Sequence, residues 1–395
     1  MTQKVTITDV ARHAKVSRQT VSNVLNTPEV VREETRRRVL EAVETLGYRA
    51  SQAARQMRTG RSRLIATRIE PSHDGINGTV YDRFLHGLTE SAAAAGYRVL
   101  LYTAEDDASE IATIDDLLGA YEPDAFVLTS THHGDARTSW LAERRLPFVT
   151  FGRPWGVPEG SGHAWVDVDG AAGTAEATRR LLDAGHRRIG FIGWPAGSGV
   201  GDDRRAGWAR TLAAAGVDPT GLDRATDDGV AAGEALARDL LGGGDPVTAL
   251  VCVSDSLALG ALHAARSPGD GQGMDRPVRP DRPVAVVGFD DTPVARAVGL
   301  TSVSQPLAEA AANCVALLTG LLDGEDPPGR TAGDAVSAAP GRTAAGADAG
   351  IGVGTGAADR GEAGASTGSP RQILLRPALV VRGSPGAPRG AGARP

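Results

Sequence analysis

The chain has 395 residues, 41% of them hydrophobic and 23% charged, which is enough for about two or three domains with real cores. No basic leader with a long apolar stretch opens it and no run reaches the apolar length of a membrane span, so secretion and membrane insertion are disfavoured and a cytoplasmic, nucleoid-associated protein is expected. The formal charge of −6 is unevenly spread: residues 1–63 carry 13 Lys and Arg against 6 Asp and Glu, net +7, which leaves −13 for the rest. A basic head on an acidic body fits a chain whose head alone meets phosphates.

Residues 7–26 read ITDVARHAKVSRQTVSNVLN, the pattern of a helix-turn-helix. Thr6 can cap a first helix, with Asp9 three residues on and Val10, Ala11 and Ala14 as its apolar side. Ser17 can cap a second helix whose Val21, Val24 and Leu25 face inward. That leaves Arg18, Gln19, Thr20, Ser22 and Asn23 largely outward, side chains of the kinds that hydrogen-bond base edges and phosphates in a major groove. The alternative, a small helical bundle with merely solvated polar residues, does not account for two caps, a short turn and a polar outer face falling within twenty residues. A third helix is expected over 32–46, with Val39, Leu40, Val43 and Leu46 as its stripe and Gly47 as its stop. Residues 51–60, polar and Ala-rich, read as a short helix too poor in apolar side chains to be stable alone.

From Leu64 short apolar runs alternate with amphipathic helices. Strands are expected at LIATRI, YRVLLYT, DAFVLTS and PFVTFG, then at HAWVDVD, RRIGFIGW, TALVCVSD and PVAVVGFDD. Helices are expected near 81–95, 109–120, 137–144, 171–184, 204–215, 229–241 and 256–265. Buried strands alternating with helices imply parallel sheets covered on both faces, and two successive sets imply two doubly wound subdomains. Ligands of such sheets sit at the strands' carboxyl ends, so a cleft between the subdomains is the expected binding site. Residues 324–370 hold almost no large apolar side chain and read as a disordered insertion, 267–282 as a widened loop, and 385–395 as a disordered tail. No Leu heptads mark a C-terminal coiled coil.

The resulting division is a helix-turn-helix domain over 1–50, a hinge helix and linker over 51–63, and a core over 64–384. Within the core one subdomain is expected from 64–153 and 290–318, and the other from 154–289 and 319–384. Cys252 and Cys314 lie in apolar runs without metal-ligand spacing and read as buried thiols. The eight His are scattered. The Gly-rich stretch 197–201 lacks the GxGxxG spacing, so no catalytic residue, metal or cofactor is expected.

In this order, TITDVARHAKVSRQTVSNVLN, LGY, SQAARQMRTGRS, LLDAGHRRIGFIG, DRRAGWARTLAAAG, SDSLALGALHAAR, VAVVGFDD, LTSVSQP and LVVRGS resemble the LacI/GalR family of bacterial transcriptional repressors. The resemblance covers nearly everything except 324–370. It implies an all-α helix-turn-helix head on a periplasmic-binding-protein-like type I core. It also implies a homodimer on a pseudo-palindromic operator and a small-molecule effector, most simply a sugar. By position it assigns Arg18, Gln19 and Asn23 to base edges. Ser17, Thr20, Ser22 and Asn26 fall to phosphates or to orienting the readers, and Ala54 and Met57 to a hinge helix entering the minor groove. Arg204 matches the ligand-clamping arginine, with Asp290 accepting hydrogen bonds from the same ligand. Ser254 stands where relatives often have Asn, with Asp255 beside it as a helix cap. Arg153, Trp155 and Trp194 follow strands and are candidates for the cleft wall. Lys15 replaces the turn's usual Gly, Arg32 a usual capping residue and Ala50 a Pro. A ligand-activated corepressor of the same family and a transporter's sugar-binding protein are the alternative readings.

Overall fold

The computed structural model describes residues 5–48, 56, 60–69, 78–157, 162–242, 244–266, 284–324 and 371–382. The expectations for Ala54 and Met57, and nearly all of those for 267–282, 324–370 and the tail, lie outside the described residues. Residues Met1–Leu64 with Ile114–Asp124 form one compact unit, and Ile65–Thr113 with Ala125–Pro395 the other.

In the first unit, helices α1 (Ile7–Ala14), α2 (Arg18–Asn26) and α3 (Glu33–Leu46) close a small core of Val10, Ala11, Ala14, Val21, Val24, Val39 and Ala42. Thr6 and Asp9 form the reciprocal capping box, and the Thr6 hydroxyl and amide together hold the Asp9 carboxyl below its ordinary range. The turn reverses the chain at Lys15, whose φ of 53° is left-handed. A Cβ-bearing residue costs about 1 kcal/mol there, so the missing Gly is tolerated and not innocuous. Arg32 occupies the position before α3 without a side-chain cap, while Gly47 ends that helix in the left-handed region.

The second unit is built on two six-stranded sheets. The first has the order β11 (Gln372–Leu375), β5 (Trp165–Val168), β4 (Phe148–Phe151), β3 (Ala125–Leu128), β1 (Leu64–Arg68), β2 (Arg98–Tyr102). The second runs β12 (Ala378–Val380), β10 (Thr301–Ser304), β9 (Ala285–Asp290), β8 (Ala249–Cys252), β6 (Ile189–Gly193), β7 (Asp223–Ala225). In the second sheet β12 is antiparallel to β10, and the other pairs are parallel. The helices between strands are α4 (Gly78–Ala94), α5 (Asp107–Ala120), α6 (Ala136–Glu143), α7 (Gly170–Asp183), α8 (Gly199–Ala214), α9 (Val230–Gly242), α10 (Asp255–Arg266), α11 (Pro293–Ala297) and α12 (Leu307–Asp323). Each sheet anchors its own lobe. One core gathers Phe84, Leu88, Tyr97, Val127, Val149 and Cys314, the other Phe191, Trp208, Leu212, Leu250, Cys252 and Phe289.

The lobe boundaries differ from those expected. Strand β5 and strand β11 pair with each other in the first sheet, although the sequence reading gave both to the second subdomain. Strand β10, given to the first, pairs with β9 in the second. The chain therefore passes between lobes three times, after β5, after β10 and between β11 and β12. A parallel strand buried on both faces carries no local mark of its sheet, because partner choice is made by residues far away in sequence. Helix α12 is a further addition, although Leu307, Ala310, Ala311, Cys314, Val315 and Leu318 follow helical spacing and all but Leu307 join the core of the first lobe.

Candidate functional site

Two groups of residues carry chemistry. In the head, Ser17 caps α2 by accepting from the Thr20 amide at 3.0 Å, which orients the helix's first turn. Ser17, Arg18, Gln19 and Asn26 are exposed, and Thr20, Ser22 and Asn23 half-buried. Gln19 Nε2 donates to Asn23 Oδ1 at 2.9 Å, one helical turn on, so the two amides form one pre-set polar surface. Asn26 Nδ2 donates to the Ser22 carbonyl at 2.6 Å. Arg18 makes no ion pair among the described residues. A helix with this face presents the donors and acceptors that read base edges, and its buried Val21 and Val24 fix which face that is.

In the core, a cavity of about 420 Å³ opens between the lobes at the carboxyl ends of the strands. Phe151 ends β4 and Gly152 follows it, Asp167 and Val168 end β5, Trp194 follows β6, Asp290 ends β9 and Gln305 follows β10. Helix α8 brings Ser198, Asp203 and Arg204 to the same wall, starting five residues before the sequence reading had it because Ser198 caps it through the Gly201 amide. Arg204 is buried between aromatic rings, its guanidinium carbon 3.6 Å from the Phe289 ring centre and 5.6 Å from that of Trp194. One of its nitrogens donates to the Val253 carbonyl at 2.6 Å and stands 3.8 Å from the Asp290 carboxylate. Its Nε has no partner among the described residues, and burial lowers its proton affinity.

Asp290 is held in a backbone conformation that L-residues rarely adopt, with φ of 110°. Its carboxylate accepts from Gln305 Nε2 at 2.7 Å, and burial pushes its pKa up to about 8 against the pull of Arg204. Trp155 and Trp194 both line the cavity. Trp194 is fixed by its indole N–H, which donates to Asp228 at 3.0 Å.

Three expected residues sit elsewhere. Ser254 does not line the cavity. It caps α10 by accepting from the Leu257 amide and donates to Asp228, so it reaches the cleft only through the carboxylate that steadies Trp194. Asp255, expected as that cap, instead accepts from the Thr292 amide and the Ser302 hydroxyl and braces the loop after β9. Arg153 also stands behind the wall, bonded to Asp167 at 2.5 Å.

The sequence reading missed Asp167, Asp203, Gln305 and the pair Tyr81 and Ser130, whose hydroxyls meet at 2.7 Å. Asp167 could have been found as the carboxylate of WVDV, one residue before the end of β5, near the strand end as Asp290 is on β9. It missed as well the support of the first lobe's cavity loop. Arg137 donates to the carbonyls of Thr129 and Ser130 and is paired with Glu110 and Asp135, fixing Ser130 in a left-handed turn.

The family description "Bacterial regulatory proteins, lacI family" matches residues 6–51, and "Periplasmic binding protein-like domain" matches 178–343. The HTH-type transcriptional regulator CelR of Thermobifida fusca is 34% identical over 328 residues, covering 81% of this chain and 92% of the relative. The chain belongs to the LacI family. It is a DNA-binding transcriptional regulator, and the relatives it matches are regulators rather than enzymes. A solved complex of the regulator CelR with cellobiose shares 28% identity with this LacI-family chain, with a TM-score of 0.61 over 96% of this chain and 99% of that one. The lac repressor dimer bound to operator and the anti-inducer ONPF shares the fold, at 21% identity and a TM-score of 0.71 over 96% and 98%. No described helix is long and apolar enough to cross a membrane.

Proposed function

We propose that this regulator is a repressor whose hold on DNA is released by a sugar bound in the interlobe cleft. The observation that carries the reading is the cleft itself. An arginine with an unpartnered Nε and a carboxylate, Arg204 and Asp290, stand beside Trp155 and Trp194 at the carboxyl ends of the strands. The Trp194 indole suits the apolar side of a pyranose, while carboxylates and guanidinium groups suit its hydroxyls. The cellobiose held by the CelR relative supports a saccharide of this kind.

In this reading Arg18, Gln19 and Asn23 contact base edges, Ser17, Thr20, Ser22 and Asn26 hold phosphates or orient the readers, and Ala54 and Met57 act in the minor groove. The protein works as a homodimer in the cytoplasm, one recognition helix to each half-site of a pseudo-palindrome. Domain limits of 1–50, 51–63 and 64–384 go with it.

The test is paired. A thermal-shift panel of cellobiose, other disaccharides and monosaccharides should find a ligand that raises Tm with concentration. The same ligand should then dissociate the protein from the DNA upstream of its own gene in a mobility shift. Absence of specific, salt-sensitive DNA binding would overturn the DNA reading, and a flat panel would overturn the sugar reading.

A further inference from the structure

Several contacts tie one lobe of the core to the other. Arg83 on α4 donates to the Asp290 carbonyl at 3.5 Å. Arg153, in the loop after β4, lies 3.5 Å from Asp203 on α8 while Asp167 of its own lobe holds its Nε. Trp155 is the largest side chain among them. Its indole, borne by the first lobe, lies so close over Gly199 at the start of α8 that a Cβ there would fall 2.2 Å from the ring carbons. The Arg153 guanidinium carbon stands 4.8 Å from the ring centre. The ring is thus seated on the backbone of the opposite lobe, a seat that only glycine leaves open.

The seat has a cost. The Trp155 indole N–H is buried and has no acceptor among the described residues, whereas Trp194 in the same wall gives its N–H to Asp228. A buried donor without an acceptor forfeits its hydration, and that loss opposes the gain from burying the ring. The two effects have opposite signs and comparable size, which is the condition for a contact that forms yet releases.

We propose that Trp155, seated on Gly199 and backed by Arg153, is a releasable latch between the lobes of the cleft. Its bearing on regulation rests on the reading that an effector enters this cleft, but the latch exists without one. Opening it returns the indole N–H to water and separates α8, with Arg204, from the wall that carries Asp167. Trp155 acts here as a positioning residue, setting how often Arg204 and Asp290 face a ligand in the closed arrangement.

Hydrogen exchange of the full-length protein without any saccharide tests this. Gly199→Ala places a methyl group where the ring sits. At the first position of a helix alanine otherwise leaves stability unchanged or raises it. Trp155→Ala removes the ring without any clash. In both variants the amides of 151–157 and 198–204 should exchange about tenfold faster or more, with the rest of both lobes and α1–α3 unchanged. Trp155→Phe keeps an aromatic ring and deletes the unpaired donor, and should slow the same amides below the parent rate. Unchanged exchange in Gly199→Ala, or a general acceleration across the second lobe, would overturn the latch. Faster exchange in Trp155→Phe would overturn the role of the buried N–H. Because no saccharide is present, failure here leaves the sugar reading standing, and a flat saccharide panel leaves the latch standing.

Discussion

The head and the core solve the problem of presenting polar groups in opposite ways. In the head, the polar face of the nine-residue α2 lies mostly in water, oriented by one serine cap and two buried valines. In the core, the groups facing the cavity come from the ends of several strands and from three helices, and its ionisable groups, Arg204 and Asp290 above all, are buried. An exposed face can be rewritten one side chain at a time. A buried one cannot, because each charge there is held by a partner whose removal strands it. On the proposed reading, operator preference is locally encoded, while effector response belongs to the packing of the lobes.

Substitutions can break this contrast, and the largest effect is expected from the core's packing. Trp208 is fully buried beside Phe191, with ring centres 5.4 Å apart, and its N–H donates to the Ile189 carbonyl. Trp208→Ala should cost about 3–5 kcal/mol, measured by denaturant unfolding. Arg204→Ala should weaken saccharide binding by about tenfold or more in calorimetry, since a hydrogen bond involving a charged group contributes about 1.5–3 kcal/mol, and should leave operator binding intact. The buried Asp290 beside Arg204 predicts a pH dependence. Burial raises the Asp290 pKa from 3.8 to about 8, so its stabilising contribution is complete below the unfolded value and is lost as pH rises towards 8. Asp290→Asn should flatten the stability profile over that window, and an unchanged slope would show that the carboxyl is ionised in the native protein.

Arg18→Ala should cost about 1–3 kcal/mol of discrimination at one base position, seen by comparing operator variants at fixed salt, with saccharide affinity unaltered. The smallest effect is local to the head. Lys15→Gly relieves the left-handed turn at φ 53° and should stabilise the isolated melting step of the head by about 1 kcal/mol. A destabilised head would mean that lysine makes a compensating contact.

The same contrast governs what could be read from the chain. The caps at Thr6 and Ser17, the turn at Lys15 and the stop at Gly47 are set by neighbours within a few positions, so the head was legible down to its strained residue. Asp290, Trp155 and Trp194 could be placed near the cavity from the sequence because each ends or follows an identifiable strand, and Arg204 because its motif resembles the family's. Asp167, Asp203 and Gln305 were not, since their place in the wall depends on which strands become neighbours. For the same reason β5 and β11 were assigned to the wrong lobe. Ser254, expected in the cleft, makes the cap expected of Asp255, and Asp255 is a loop brace instead, because its partners, Thr292 and Ser302, lie far along the chain.

On the proposed reading, effector and operator compete through one equilibrium of the lobes. That competition is tested most directly by titrating the saccharide selected by the thermal-shift panel into the protein alone and into its operator complex. Linkage requires the operator to weaken saccharide binding by the same factor by which the saccharide weakens operator binding. Equal saccharide affinity in the two titrations would contradict the account.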